Sequence, residues 1–154
     1  MSRAEKRRAS RLAAVQALYE MEVGGKGVVE AMAEFETFWI GKEIDGIQLP
    51  KADPDFFRDV LGGVVREQRK VDRVVDDALM EGWPLTRIEM VLRQALRAGT
   101  YELIFRVDVP AKAVISEYVA VIRAFYEGDE PGLINAVLDK IARVVRAGEM
   151  AEVS

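Results

Sequence analysis

The feature that most constrains this chain is a spacing. Apolar side chains recur every three or four residues over nearly its whole length. Examples are Leu12, Val15, Leu18 and Tyr19; Phe57, Val60, Leu61 and Val64; and Ile134, Val137, Leu138, Ile141 and Val145. That interval places them on one face of an α-helix, whereas a half-buried strand needs strict alternation. No window shows such alternation.

Glycine, proline and capping residues divide the pattern. Ser2 can cap a first helix that Gly24-Gly25 stops near Val23. A second spans about 28–40 and buries Val28, Met32, Phe35 and Trp39. Gly41 to Asp53, with Gly46 and Pro50, reads as a loop. Asp53-Pro54 pairs an N-cap acceptor with a proline at the first helical position. The helix that follows carries Val71, Val74, Val75 and Leu79 to a stop at Gly82-Trp83-Pro84, with Gly62-Gly63 calling for a bend or a close neighbour. Thr86 and Glu89 have capping-box spacing, ahead of Ile88, Leu92, Ala95, Leu96, Gly99 and Leu103. Asp108-Val109-Pro110 starts the next helix, with Ile115, Val119, Ile122 and Phe125. The turn at 128–132 precedes the last, and the tail beyond Gly148 is expected to be loose. The expected fold is all-α: two small antiparallel bundles sharing an interface, about six to seven helices, with subdomains 1–82 and 83–154.

Composition removes most chemistry. Among 154 residues there is no cysteine and no histidine, so disulfides, thiol nucleophiles, the commonest general base and the usual zinc ligands are absent. Serine is confined to Ser2, Ser10, Ser116 and Ser154. Carboxylates such as Asp76-Asp77 and Glu20/Glu22 remain, but adjacent helical residues do not face each other. They read as solvated helix faces. Neither an enzyme, a cofactor nor a metal site is expected. No apolar run reaches the roughly 18 residues of a membrane span, and no secretory signal is visible, so a cytoplasmic address is expected.

Charge is unevenly spread. The formal net charge is −4, yet residues 1–11 hold Arg3, Lys6, Arg7, Arg8 and Arg11 against Glu5 alone. Residues 20–59 carry ten acids against four basic side chains. A basic arm on an acidic body suits nucleic-acid contact; a solvated terminus is the plainer alternative.

Five segments carry a resemblance, in order. KRRASRLAAVQALYEME (Lys6 to Glu22) resembles the arginine-rich first helix and VQALY segment of the NusB family. FRDVLGGV (Phe57 to Val64), LRAGTYEL (Leu96 to Leu103), DVPAKAVISEYV (Asp108 to Val119) and LINAVLDKIAR (Leu133 to Arg143) resemble its later signatures. The resemblance implies an all-helical fold of two subdomains and a transcription antitermination factor. Such a factor binds single-stranded boxA RNA together with NusE, a small-subunit ribosomal protein. It acts within an RNA polymerase antitermination complex, notably on ribosomal RNA operons. Family members differ in oligomeric state, so a homodimer is open. The alternative is a helical interaction module with no physiological RNA role.

Carried onto this sequence, the family's RNA-binding positions are Lys6, Arg7, Arg8, Arg11 and Gln16 on the arm. At the turn before the last helix they are Asp129, Leu133 and Asn135. Guanidinium forks suit phosphate, and Arg7 and Arg11 share a helix face with Arg8 beside them. Leu133 stands where the family usually has phenylalanine, so base stacking is weakened. Asn135 suits RNA or a local backbone cap. Tyr19 and Leu92 are the partner-facing positions; Tyr19 also fits the edge of the core, and Leu92 replaces an acidic residue.

Overall fold

The computed structural model describes residues 2–38, 43–44, 47–48, 52–80 and 83–151. Trp39, Gly41, Gly46, Pro50 and Gly82, assigned above to a helix face, a loop and a stop, lie outside these. The described residues form eight α-helices, one short 3-10 turn and a two-residue antiparallel ladder. The all-α expectation holds. Chain contacts divide it into two compact units, Met1–Arg66 and Glu67–Ser154. The division falls at Glu67, whereas the sequence reading placed it at Trp83-Pro84.

The first unit holds α1 (Arg3–Gly24), α2 (Val28–Phe38), the ladder of β1 (Glu43–Ile44) and β2 (Ile47–Gln48), and α3 (Pro54–Arg66). The ladder lies inside the segment read as loop. Ser2 caps α1 by accepting the Glu5 N–H at 3.1 Å. Gly25 ends the helix in the left-handed region at φ 71°, a conformation costly for any residue with a Cβ. Asp53 caps α3, its Oδ1 accepting the Phe56 N–H at 3.1 Å. Val15, Leu18, Ala31, Phe35, Phe57, Val60, Leu61 and Val64 form the core, with Phe35 and Phe57 stacked at 6.1 Å between centroids. At Gly62, an added Cβ would stand 3.3 Å from Met32 Cε, so α2 is the close neighbour the glycine pair called for.

The second unit holds α4 (Gln68–Ala78), the 3-10 turn Leu85–Arg87, α5 (Met90–Phe105), α6 (Ala111–Arg123), α7 (Glu130–Val145) and α8 (Ala147–Ala151). α4 belongs here because Val71 and Val75 are fully buried and the helix packs on α5 and α7. α5 is the axis of the unit: every residue from Gln94 to Leu103 is buried, as expected of a helix enclosed by α4, α6 and α7. Two of its buried charged groups find partners on other helices, whereas the buried Thr100 hydroxyl has none. Arg97 makes a bidentate pair with Asp72 at 2.8 and 3.0 Å, and Glu102 accepts the Tyr118 hydroxyl at 2.5 Å.

Three local expectations are corrected. Thr86 and Glu89 form no capping box: Thr86 sits in the 3-10 turn, α5 starts at Met90, and Glu89 accepts a hydrogen bond from Tyr126. Ile88 consequently lies before the helix. The start of α6 is capped from far along the chain, by Glu149 Oε2 accepting the Ala111 N–H at 2.8 Å, while Asp108 pairs with Arg106. That bond holds Glu149, and α8 packs on α7 with Met150 buried, so the tail is not loose as far as Ala151.

Candidate nucleic-acid interface

The first basic site is the opening of α1. An i, i+4 spacing puts Arg7 and Arg11 on the same face, and Ser10 on the neighbouring row. Ser10 is fully buried and joins α1 to α3: its Oγ accepts the Asp53 N–H at 2.8 Å and lies 2.7 Å from the Asp53 carbonyl. Asp53 is also the α3 cap, so the same residue that is tied to α1 sets the first turn of α3. That turn carries Phe56. The Arg7 guanidinium carbon lies 4.6 Å from the centroid of the Phe56 ring and that of Arg11 4.8 Å, both within cation–π range.

This contact separates the arginines that the sequence grouped together. Arg11 is 3% exposed, with its guanidinium against the Phe56 ring. Arg7 is half-buried against the ring. Arg3, Lys6 and Arg8 are exposed. Gln16 is half-buried one turn further on, and Tyr19 is 37% exposed, at the rim of the core. Phe56 was missed by reasoning from the sequence. The available signal was the pair Phe56-Phe57, an additional aromatic beside the stripe of Phe57, Val60, Leu61 and Val64.

The second site lies in the other unit, at the start of α7. Asp129 precedes the helix, is exposed, and makes no side-chain cap; its carbonyl accepts the Leu133 N–H at 3.1 Å. Leu133 is 37% exposed and Asn135 is exposed, so neither is committed to the core and Asn135 is not a buried cap. A shallow depression of about 640 Å³ opens beside this turn, lined by residues that include Arg123, Tyr126, Asp129 and Gly132. Leu92, read as a partner-facing position, is 6% exposed in the second unit. Among the described residues no group of carboxylates has metal-site geometry, and no helix is long and apolar enough to cross a membrane.

The described residues form a largely helical scaffold whose first helix opens with exposed arginine and lysine, the class of surface that suits a polyanion. The chain belongs to the NusB family, whose model matches residues 8–143. It is 56% identical over 150 residues to Transcription antitermination protein NusB of Rhodopseudomonas palustris (strain TIE-1), covering 97% of this chain and 86% of that one. It is 57% identical over 149 residues to the protein of the same name from Nitrobacter hamburgensis, covering 97% and 93%. Among solved structures, NusB of T. maritima superposes with a TM-score of 0.76 at 24% identity, covering 94% of this chain and 96% of that one. A structure of antitermination factors NusB and NusE in complex with dsRNA gives 0.75 at 24%, covering 94% and 99%.

Proposed function

We propose that this chain is an RNA-binding transcription antitermination factor that engages boxA-type single-stranded RNA together with NusE, within an RNA polymerase antitermination complex of the cytoplasm. It is a binding protein and not an enzyme. The observation that carries this reading is identity above 55% along almost the whole chain to proteins named for antitermination. The cations at the start of α1 supply a physical means. Lys6, Arg7, Arg8 and Arg11 are the candidates for contacts to the phosphates of a flexible strand, a contact that positions RNA without reading it. Gln16, Asp129, Leu133 and Asn135 are the candidates for contacts to bases, and Tyr19 for the protein partner.

A NusB–NusE pair has been solved with double-stranded RNA, so single- and double-stranded forms of one boxA sequence belong in the same assay. Fluorescence polarisation of labelled RNA, titrated with this protein alone and with NusE present, tests the reading. The expected result is preference for boxA over a scrambled strand, tightened by NusE. Equal binding to both strands, with and without NusE, would leave an interaction module without an RNA role. Mass measurement of the free protein distinguishes monomer from homodimer.

A further inference from the structure

We propose that Phe56 is a positioning residue for RNA: its ring holds the Arg7 guanidinium at the edge of α1 in a phosphate-ready orientation. Buried Arg11 fixes the same ring from within. The proposal rests on the RNA-binding reading above and adds to it a residue outside the arginine-rich segment.

Three contacts converge on this arrangement. Ser10 ties α1 to Asp53 with bonds of 2.7 and 2.8 Å. Asp53 then accepts the Phe56 N–H at 3.1 Å, which fixes the turn from which the ring projects. The ring meets both guanidinium carbons, at 4.6 and 4.8 Å. Its neighbour Phe57 has a different task, stacking on Phe35 in the core. Phe56 is 2% exposed, so the cover over it comes in part from the two arginines.

The chemistry of the guanidinium makes such a support useful. An aromatic ring attracts the cation through its face, while phosphate takes bidentate hydrogen bonds from the N–H edge. The two interactions use different parts of the group and are compatible. A long side chain that is already ordered loses less freedom on binding an anion, so the ring raises affinity by preorganisation. Arg11, 3% exposed and 4.8 Å from the ring centroid, holds Phe56 in register with Arg7 by its charge.

The test is a double-mutant cycle with boxA RNA in the presence of NusE, using Phe56→Leu, Arg7→Ala and the pair. Phe56→Leu leaves the charge count unchanged. It is expected to weaken binding about fivefold, in the range of one partly desolvated cation–π contact. Arg7→Ala is expected to cost less in the Phe56→Leu background than in the wild type. Phe56→Tyr, which keeps the ring face, is expected to restore wild-type affinity, a rescue that a loss of packing does not predict. If Phe56→Leu does not fold by circular dichroism, Phe56→Met keeps the apolar volume without a ring and takes its place. Wild-type protein that binds boxA no better than a scrambled strand overturns the function and the positioning together. Wild-type binding with an unchanged affinity in the folded Phe56 variant, or an equal cost of Arg7→Ala in both backgrounds, overturns the positioning alone.

Discussion

Arg8 and Arg11 lie three residues apart on one helix, yet the structure places one in solvent and the other against a ring in the interior. Their alanine variants should therefore differ in kind. Arg8→Ala is expected to weaken RNA binding and lower the log–log salt slope by about 0.7, the value for one phosphate of a single strand, with an unchanged melting temperature. Arg11→Ala is expected to lower the melting temperature, because it empties a buried site over Phe56. Titrations at several salt concentrations, paired with thermal melts, check both. Leu133 belongs to the same scale. At 37% exposure it has room for a larger side chain, so Leu133→Phe is expected to tighten RNA binding by roughly 1 kcal/mol through base stacking. Stacking releases no counterions, so the gain should be insensitive to salt. A lower melting temperature with no gain in affinity would place the side chain in the core instead.

Between elements, two contacts set the geometry of the second unit. At Gly99, α5 packs tightly against α6 and α7: an added Cβ would stand 2.9 Å from Leu138 Cδ1 and 3.3 Å from Tyr118 Cδ2. Leu138 and Tyr118 are both fully buried and have nowhere to go. Gly99→Ala is thus expected to cost about 1–3 kcal/mol by overpacking, despite alanine's better helix propensity, and denaturant melts measure it. The other contact is Arg146. Its guanidinium donates to the carbonyls of Glu102, Leu103, Arg106 and Val109, at 2.6 to 3.1 Å, and reaches the Glu149 carboxylate at 3.3 Å. It thereby supplies a donor to the Leu103 carbonyl in the last turn of α5 and holds the connection to α6. Arg146→Ala removes the donor to the Leu103 and Val109 carbonyls, at about 1–3 kcal/mol each and not additively, while the Glu102 and Arg106 carbonyls keep the N–H groups of Arg106 and Val109. A loss of about 3 kcal/mol or more is expected, read from the denaturation midpoint. Arg146→Lys should recover only part, since an ammonium has three donors and no fork.

At the scale of the whole molecule, the proposed function makes a thermodynamic demand. If NusE raises the affinity for RNA, then RNA must raise the affinity for NusE by the same factor. Calorimetric titrations in both orders should return equal coupling factors; independent binding of the two ligands would contradict a cooperative complex. The acidic body makes this demand reasonable. Residues outside the basic arm are strongly net negative and repel a polyanion, so a second protein surface that contributes binding area offsets a cost this chain carries by itself.

The apolar period of three and four determined the all-helical class, and the residues at its breaks determined most of the ends. Ser2, Gly25, Asp53 and Pro54 each act through atoms within a few positions of themselves, so their roles are visible in a linear string. What escaped the string was every contact made across it. Thr86 and Glu89 had the right spacing for a cap, but the Tyr126 hydroxyl, 37 positions away, reaches Glu89. The cap of α6 comes from Glu149, and the unit boundary moved because α4 packs on α5 and α7. The same holds for the candidate site. Sequence determined that there would be a cluster of cations at the start of α1, since helical spacing alone brings Arg7, Arg8 and Arg11 together. Only the tertiary structure decided which of them faces solvent, because that depends on Phe56. Residue 56 stands over this face only because a buried serine ties two helices together 43 positions apart in the chain.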